Sequence, residues 1–239
     1  MILNLLRAGS KDELISAIIM LLISLPVILL SLSFHEAAHA FTAHKLGDRT
    51  ARNLGRLTVN PAKHLDLMGT ICMLLCGVGW AKPVPINTRY FKNPKWGMAI
   101  SALAGPVSNL LLSFLGAVFV QITIRIAIVA EIPYAPFFFK GMPMSSLLLL
   151  IFLYFFELFA YYNAILAIFN MIPIPPFDGS RLAFVFLPNK WYFEIMKYER
   201  YIMIALFVLL ATDVITLPLS NAASTITGFF YNITSFIGG

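Results

Sequence analysis

Charged side chains are scarce in this sequence. They make up 12% of its 239 residues, where an average soluble domain carries about 25%. Hydrophobic residues reach 59%, against roughly 45–50% in such a domain. A soluble fold of this length cannot take so much apolar surface out of water, so the composition excludes an ordinary globular domain and calls for lipid. Cysteine is nearly absent: Cys72 and Cys76 are the two present. With no CxxC pair and no secretory framework they say little about redox compartment and read as small buried apolar residues. No internal repeat and no low-complexity linker stands out, which leaves nothing for a separate soluble domain. The N-terminal MILNLLRAGSKDEL is too broken by charge for a signal peptide, and the apolar run behind it is too long for an h-region, so that run is expected to stay as a membrane helix.

What is present is a set of long apolar stretches. Four are clear, at about Leu14–Leu46, Gly97–Val129, Ser146–Met171 and Tyr201–Leu217. Each can cross a bilayer core, which takes about 20 residues as helix. A weaker tail, Asn221–Ile237, follows Pro218 and reads as a fifth span or an interfacial helix. The expected fold is therefore an all-α integral membrane protein, a helical bundle of at least four spans. The one long connection, residues 47–96, contains a 13-residue apolar run, Met68–Trp80. That is too short to span and points to a re-entrant or interfacial piece.

Charge placement sets the expected orientation. Lys45, Arg49, Arg52, Arg56, Lys63, Lys82, Arg89, Lys92 and Lys95 lie between spans one and two, and Arg181, Lys190, Lys197 and Arg200 between spans three and four. Arg7, Lys11 and Lys140 lie on the other side. By the positive-inside rule the 47–96 loop is cytoplasmic and the N-terminus outside, in a multi-pass protein of the cell membrane. The net charge of +6 is accounted for in this way, with no nucleic-acid partner.

Within the first span stands His35-Glu36-Ala37-Ala38-His39. Residues four apart share a helix face, so the two imidazoles can bind one zinc ion. Glu36 is near enough to take a proton from water there, because zinc lowers that water's pKa to about 7. Polar groups inside a membrane span are expensive and usually functional, which weighs against two merely packed histidines. A catalytic zinc needs a third protein ligand and an open fourth position. His44 falls off the metal face of the helix, and His64 reads as a loop residue. The best third ligand is Asp178, in Asn170-Met-Ile-Pro-Ile-Pro-Pro-Phe-Asp178-Gly179, where prolines break the third span. An ordinary Pro-Asp-Gly turn at the membrane boundary is the alternative. Together with the histidine pair, the ligand reading is preferred.

Three motifs, HEAAH at 35–39, GPVSN at 105–109 and NMIPIPPFDG at 170–179, resemble the site-2 protease family of intramembrane zinc metalloproteases. The phrases NPAKHLDLMGT and GWAKPVPIN resemble its compact members. The resemblance implies one zinc per chain held by His35, His39 and Asp178, with Glu36 as catalytic base. It implies hydrolysis within a transmembrane segment of a membrane-protein substrate, toward the cytoplasmic side. The expected organisation is a single membrane-embedded protease domain over 1–239, with a catalytic core at about 14–179, C-terminal helices at about 200–237, and no PDZ or CBS domain.

A membrane helix must unwind to be cut, and an exposed strand edge can take up the freed backbone groups. Residues 77–86 alternate with period two, and Gly77-Val78-Gly79 resembles the Gly-x-Gly motif of the family's re-entrant β element. A small β element between spans one and two is therefore expected, with Gly77 and Gly79 near substrate. Because Pro83 and Pro85 lack N–H groups, the even-numbered residues are expected to supply the pairing donors. Asn109 and Asn170 have two readings, interhelical hydrogen bonding or support of the metal site and substrate; for Asn163 the former is preferred. Glu157 is a mid-span carboxyl with no evident partner. The rival functions are a zinc-binding membrane transporter and a non-cleaving pseudoprotease; spans two and four offer no second His/Asp cluster for a transport path.

Overall fold

The computed structural model describes residues 9–76, 79–132, 143–210 and 212–238. Among them three helices are long and apolar enough to cross a membrane: α1 (Lys11–Lys45), α4 (Pro94–Val129) and α5 (Met144–Asn170). Short helices α2 (Thr50–Asn53) and α3 (Leu67–Cys76) lie between α1 and α4. After α5 come α6 (Asp178–Ala183), α7 (Asn189–Met196), α8 (Glu199–Leu210) and α9 (Asp213–Gly238). The pair α8–α9 is bent by 75° and makes a fourth span if counted as one.

Local chemistry starts these helices where they start. Ser10 accepts the Glu13 N–H while Glu13 Oε2 accepts from Gly9 N, a variant of the capping box. Asn93 caps α4 by accepting from Trp96 N, and Pro94 occupies the first turn, where its missing N–H costs nothing. The outer faces are apolar and open: Leu22 and Leu111 are exposed by 66% and 61%, as side chains in contact with lipid would be. The inner faces are small and polar. Ser113 Oγ donates to the Ala160 carbonyl at 2.8 Å, and α4 and α5 approach closely at Gly116 and Ala160, the kind of contact that holds helices together where the hydrophobic effect cannot.

Two expectations are corrected. The break in the C-terminal region falls between Leu210 and Asp213, and α9 runs on through Pro218. That proline lies early in α9, so it removes one intrahelical bond near an end rather than in the middle. The expected re-entrant β element is not formed among the described residues. Most of the short apolar run is the helix α3, begun by Asp66, whose Oδ1 accepts from Gly69 N at 2.8 Å. One isolated antiparallel bridge, Leu65 to Ala81, is all the sheet pairing among the described residues. The reason is a missing partner: Leu- and Met-rich 67–76 satisfies its backbone within a helix, and Pro83 and Pro85 deprive the 79–87 segment of a continuous set of donors. Gly77 lies outside the described residues. Gly79 packs against Gly69 and Met73 of α3, not against the histidine pair.

Candidate metal centre

The helix period brings His35 and His39 to one face of α1, and two long-range contacts to Asp178 complete the site. Nε2 of His35 and Nε2 of His39 lie 3.0 Å apart. Asp178 Oδ2 lies 3.1 Å from the first and 3.2 Å from the second. Tetrahedral zinc with bonds of about 2.0–2.1 Å spaces its ligand atoms by about 3.3–3.4 Å, so this triangle is close to one face of such a site.

The hydrogen bonds behind the imidazoles fix what those atoms are. His35 Nδ1 meets Asn109 Oδ1 at 2.5 Å, and His39 Nδ1 meets the Ser101 carbonyl at 2.7 Å. Both partners are acceptors, so each neutral ring carries its proton on Nδ1 and turns a lone pair on Nε2 toward Asp178. Oδ2 of Asp178 is buried and has no hydrogen bond of good geometry. Three acceptor atoms converging in this way require a cation among them, and the residues present fit zinc. Among the described residues these three form the group of His, Cys, Asp or Glu arranged to hold a metal.

Asp178 reaches the histidines because the chain folds back after α5. Phe177 is buried and packs on Phe169 of α5, with ring centroids 4.3 Å apart, and Gly179 sits against the Met171 carbonyl, where a side chain would not fit. Asn109 extends the support inward. Its Nδ2 donates to Asn163 Oδ1 at 2.7 Å and to the Ser31 carbonyl at 3.3 Å, and Asn163 Nδ2 donates to Ser31 Oγ at 2.8 Å. One buried network thus ties α1, α4 and α5 to His35 Nδ1. Asn163 makes the interhelical bonds preferred for it, and those bonds also back the metal site. Asn170 donates to the Leu166 carbonyl of its own helix and lines the site cavity.

That cavity, about 950 Å³ including its open mouth, is lined by His35, Glu36, His39, Asp178, Asn170, Arg181 and the 83–86 segment, among others. Glu36 is buried, and its Oε2 accepts the Val84 N–H at 2.8 Å. Of the even-numbered donors expected at a free edge, Lys82 N–H is taken by the His64 carbonyl and Val84 N–H by Glu36. His44, His64 and Glu157 do not line the cavity. Sequence reasoning missed Ser101, Gly105 and Arg181 in the cavity and around the histidines, and it expected Val84 there as an edge donor rather than as the partner of Glu36. Gly105 carried a signal, standing at the head of GPVSN: a Cβ there would lie 2.5 Å from His35 Cε1 and from His39 Cε1 and Nε2. Gly105→Val is accordingly expected to displace both rings and lower zinc affinity at least tenfold, the lower end of the roughly 10–100-fold cost of disturbing support around a metal ligand. Competition against a calibrated chelator checks this; unchanged affinity would mean the rings have room to move.

Membrane helices that bury a His₂-carboxylate group beside a glutamate define a zinc metalloprotease of the intramembrane class. Comparison with known proteins agrees. The model of Peptidase family M50 matches residues 23–212, and the chain belongs to that family. It is 38% identical over 198 residues to "Putative zinc metalloprotease YwhC" of Bacillus subtilis (strain 168), covering 82% of this chain and 84% of that one. It is 36% identical over 93 residues to "Putative zinc metalloprotease Rip2" of Mycolicibacterium smegmatis, covering 36% and 35%. No solved structure gives a significant match. The protein is thus a multi-pass intramembrane zinc protease that acts on membrane-protein substrates in a bilayer.

Proposed function

We propose that His35, His39 and Asp178 hold the zinc and that Glu36 is the general base for hydrolysis of a peptide bond in a substrate's transmembrane segment. The observation that carries this is the convergence of two Nε2 lone pairs and one carboxylate oxygen within 3.0–3.2 Å, beside a buried glutamate in the same cavity. Zinc bound there supplies Lewis acidity and brings the pKa of a coordinated water to about 7.

The chain's own groups do the rest. Asn109 and the Ser101 carbonyl keep both protons on Nδ1, so that Nε2 stays a ligand atom. Glu36 takes the proton of the attacking water on a carboxylate oxygen and returns it to the leaving amine nitrogen. The cavity lining supplies Asn170 and Arg181 as polar groups for an unwound substrate backbone. Strand addition through Val84 is not part of this proposal, because its N–H is engaged by Glu36. Residues 1–239 act as one protease domain in the cell membrane, with the N-terminus outside and the 47–96 loop cytoplasmic. The metal ligands then lie toward the cytoplasmic side, because α1 ends at Lys45, a few residues beyond His39.

The test is cleavage of a transmembrane model peptide by the purified protein in proteoliposomes. Activity is expected to disappear on chelation, to return with one equivalent of zinc, and to cut in the cytoplasmic half of the segment, as read by mass spectrometry. Cleavage that persists without metal would exclude this site as the catalyst; a cut in the outer half would reverse the orientation.

A further inference from the structure

Residues 82–87 are irregular backbone with Pro83, Val84 and Ile86 lining the cavity, and the protein engages several of their polar groups. Lys82 N–H donates to the His64 carbonyl at 2.8 Å, Val84 N–H to Glu36 Oε2 at 2.8 Å and Asn87 N–H to Asp48 Oδ2 at 2.6 Å. On the acceptor side stands Arg56. Its Nη2 donates to the Lys82 carbonyl at 2.6 Å and, more distantly, to the Pro83 carbonyl at 3.3 Å. Arg56 is buried, and among the described residues no carboxylate lies within ion-pair distance of it. A buried cation without a carboxylate is costly. Here Nη2 is met by two carbonyl dipoles on this one segment, while Nε is buried without a hydrogen-bond partner.

The Pro83–Val84 peptide group joins the two ends of the arrangement. Its C=O accepts from Arg56, and its N–H donates to Glu36. Hydrogen bonds at the two ends of one peptide group strengthen each other by polarisation. Pro83 and Pro85 lock φ on either side and leave Val84 as the sole N–H donor of the three residues. The Val84 side chain packs with Ala40 of α1 and Ala51 of α2, with Leu57 beside them, so the peptide is held from its side chain as well.

We propose that Arg56 is a positioning residue for the general base. Through the 83–84 peptide group it fixes the Glu36 carboxylate by Oε2 and leaves the second oxygen free to take the proton. The inference rests on Glu36 being the base. A general base works only within about 2.6–3.2 Å of the proton it abstracts, and a misplaced catalytic group loses rate without losing substrate. The effect of Arg56 therefore falls on kcat, not on zinc or on KM.

The experiment is a double-mutant cycle on the zinc-loaded full chain, using Arg56→Met, Val84→Pro and the pair, with kcat and KM for a transmembrane model substrate and zinc content measured for each. Arg56→Met removes the donors and keeps the bulk; Val84→Pro removes the N–H at the other end of the same link. Each single change is expected to lower kcat about 10–100-fold, a part of the roughly 10²–10⁴-fold that a general base contributes, with KM and zinc content unchanged. The pair should be no worse than the worse single variant, since both act through one link. Arg56→Lys, which keeps a cationic donor, should recover part of the lost kcat. Losses that multiply, or that appear in KM, would overturn the proposal. So would loss of zinc or of the folded state in both Arg56 variants, which would make Arg56 a residue of the fold alone. Glu36→Gln decides the base separately, so a failure of this cycle in a chain that Glu36→Gln inactivates counts against Arg56 only.

Discussion

Glu36→Gln is expected to retain one zinc per chain and to lose cleavage by roughly 10²–10⁴-fold, the contribution typical of a general base. The substitution is close to isosteric, and the glutamine carbonyl oxygen can still accept the Val84 N–H that now reaches Oε2 at 2.8 Å. What it removes is the ability to take a proton at neutral pH. His35 and His39 flank the position on the same turn of α1, and their Nδ1 bonds to Asn109 and to the Ser101 carbonyl do not involve Glu36, so the metal face should stay intact. Metal analysis and kcat on one preparation check both halves. Turnover within about tenfold of wild type, well short of that contribution, would assign the base to another group.

Loss of any one of the three ligands is expected to remove the metal and all cleavage with it. His35→Ala and His39→Ala each leave two of the three donor atoms and open a void beside Gly105, which lies against both rings. Asp178→Ala leaves two imidazole lone pairs 3.0 Å apart with no anion to balance a dication. Zinc content should therefore fall from one per chain toward background in each variant. Full zinc in Asp178→Ala would reduce the site to its histidine pair and require another third ligand. An experimental structure with zinc should place an Asp178 oxygen at about 2.0–2.2 Å from it; a clearly longer distance would remove Asp178 from the coordination shell.

Much of this was legible from the chain alone because it depends on local regularity. The three long helices follow from apolar runs, and the pairing of His35 with His39 follows from a spacing of four on a helix. Asp178 is preferred as a ligand only together with the histidine pair; the proline-broken segment around it is a local sign that backbone leaves the helix near the membrane boundary. Reading 77–86 as an edge strand failed for the opposite reason. Alternation with period two is also a local sign, but a strand needs a partner, and the neighbouring apolar run closed its own hydrogen bonds as α3. The same holds at Pro218, where a helix-breaking residue type met a position that tolerates it.

By itself, then, the sequence determined the solvent this protein folds in and singled out the side chains proposed here as metal ligands, since composition and helix periodicity act over a few turns. Only the tertiary structure decided which partners orient those ligands. Asn109 and the Ser101 carbonyl meet the two Nδ1 atoms, Gly105 makes room for both rings, and the Pro83–Val84 peptide joins Arg56 to Glu36. These contacts join α1 to α4 and to the connection between them. A buried donor or acceptor takes whichever partner helix packing brings within about 3 Å, and no local pattern in the chain encodes that choice.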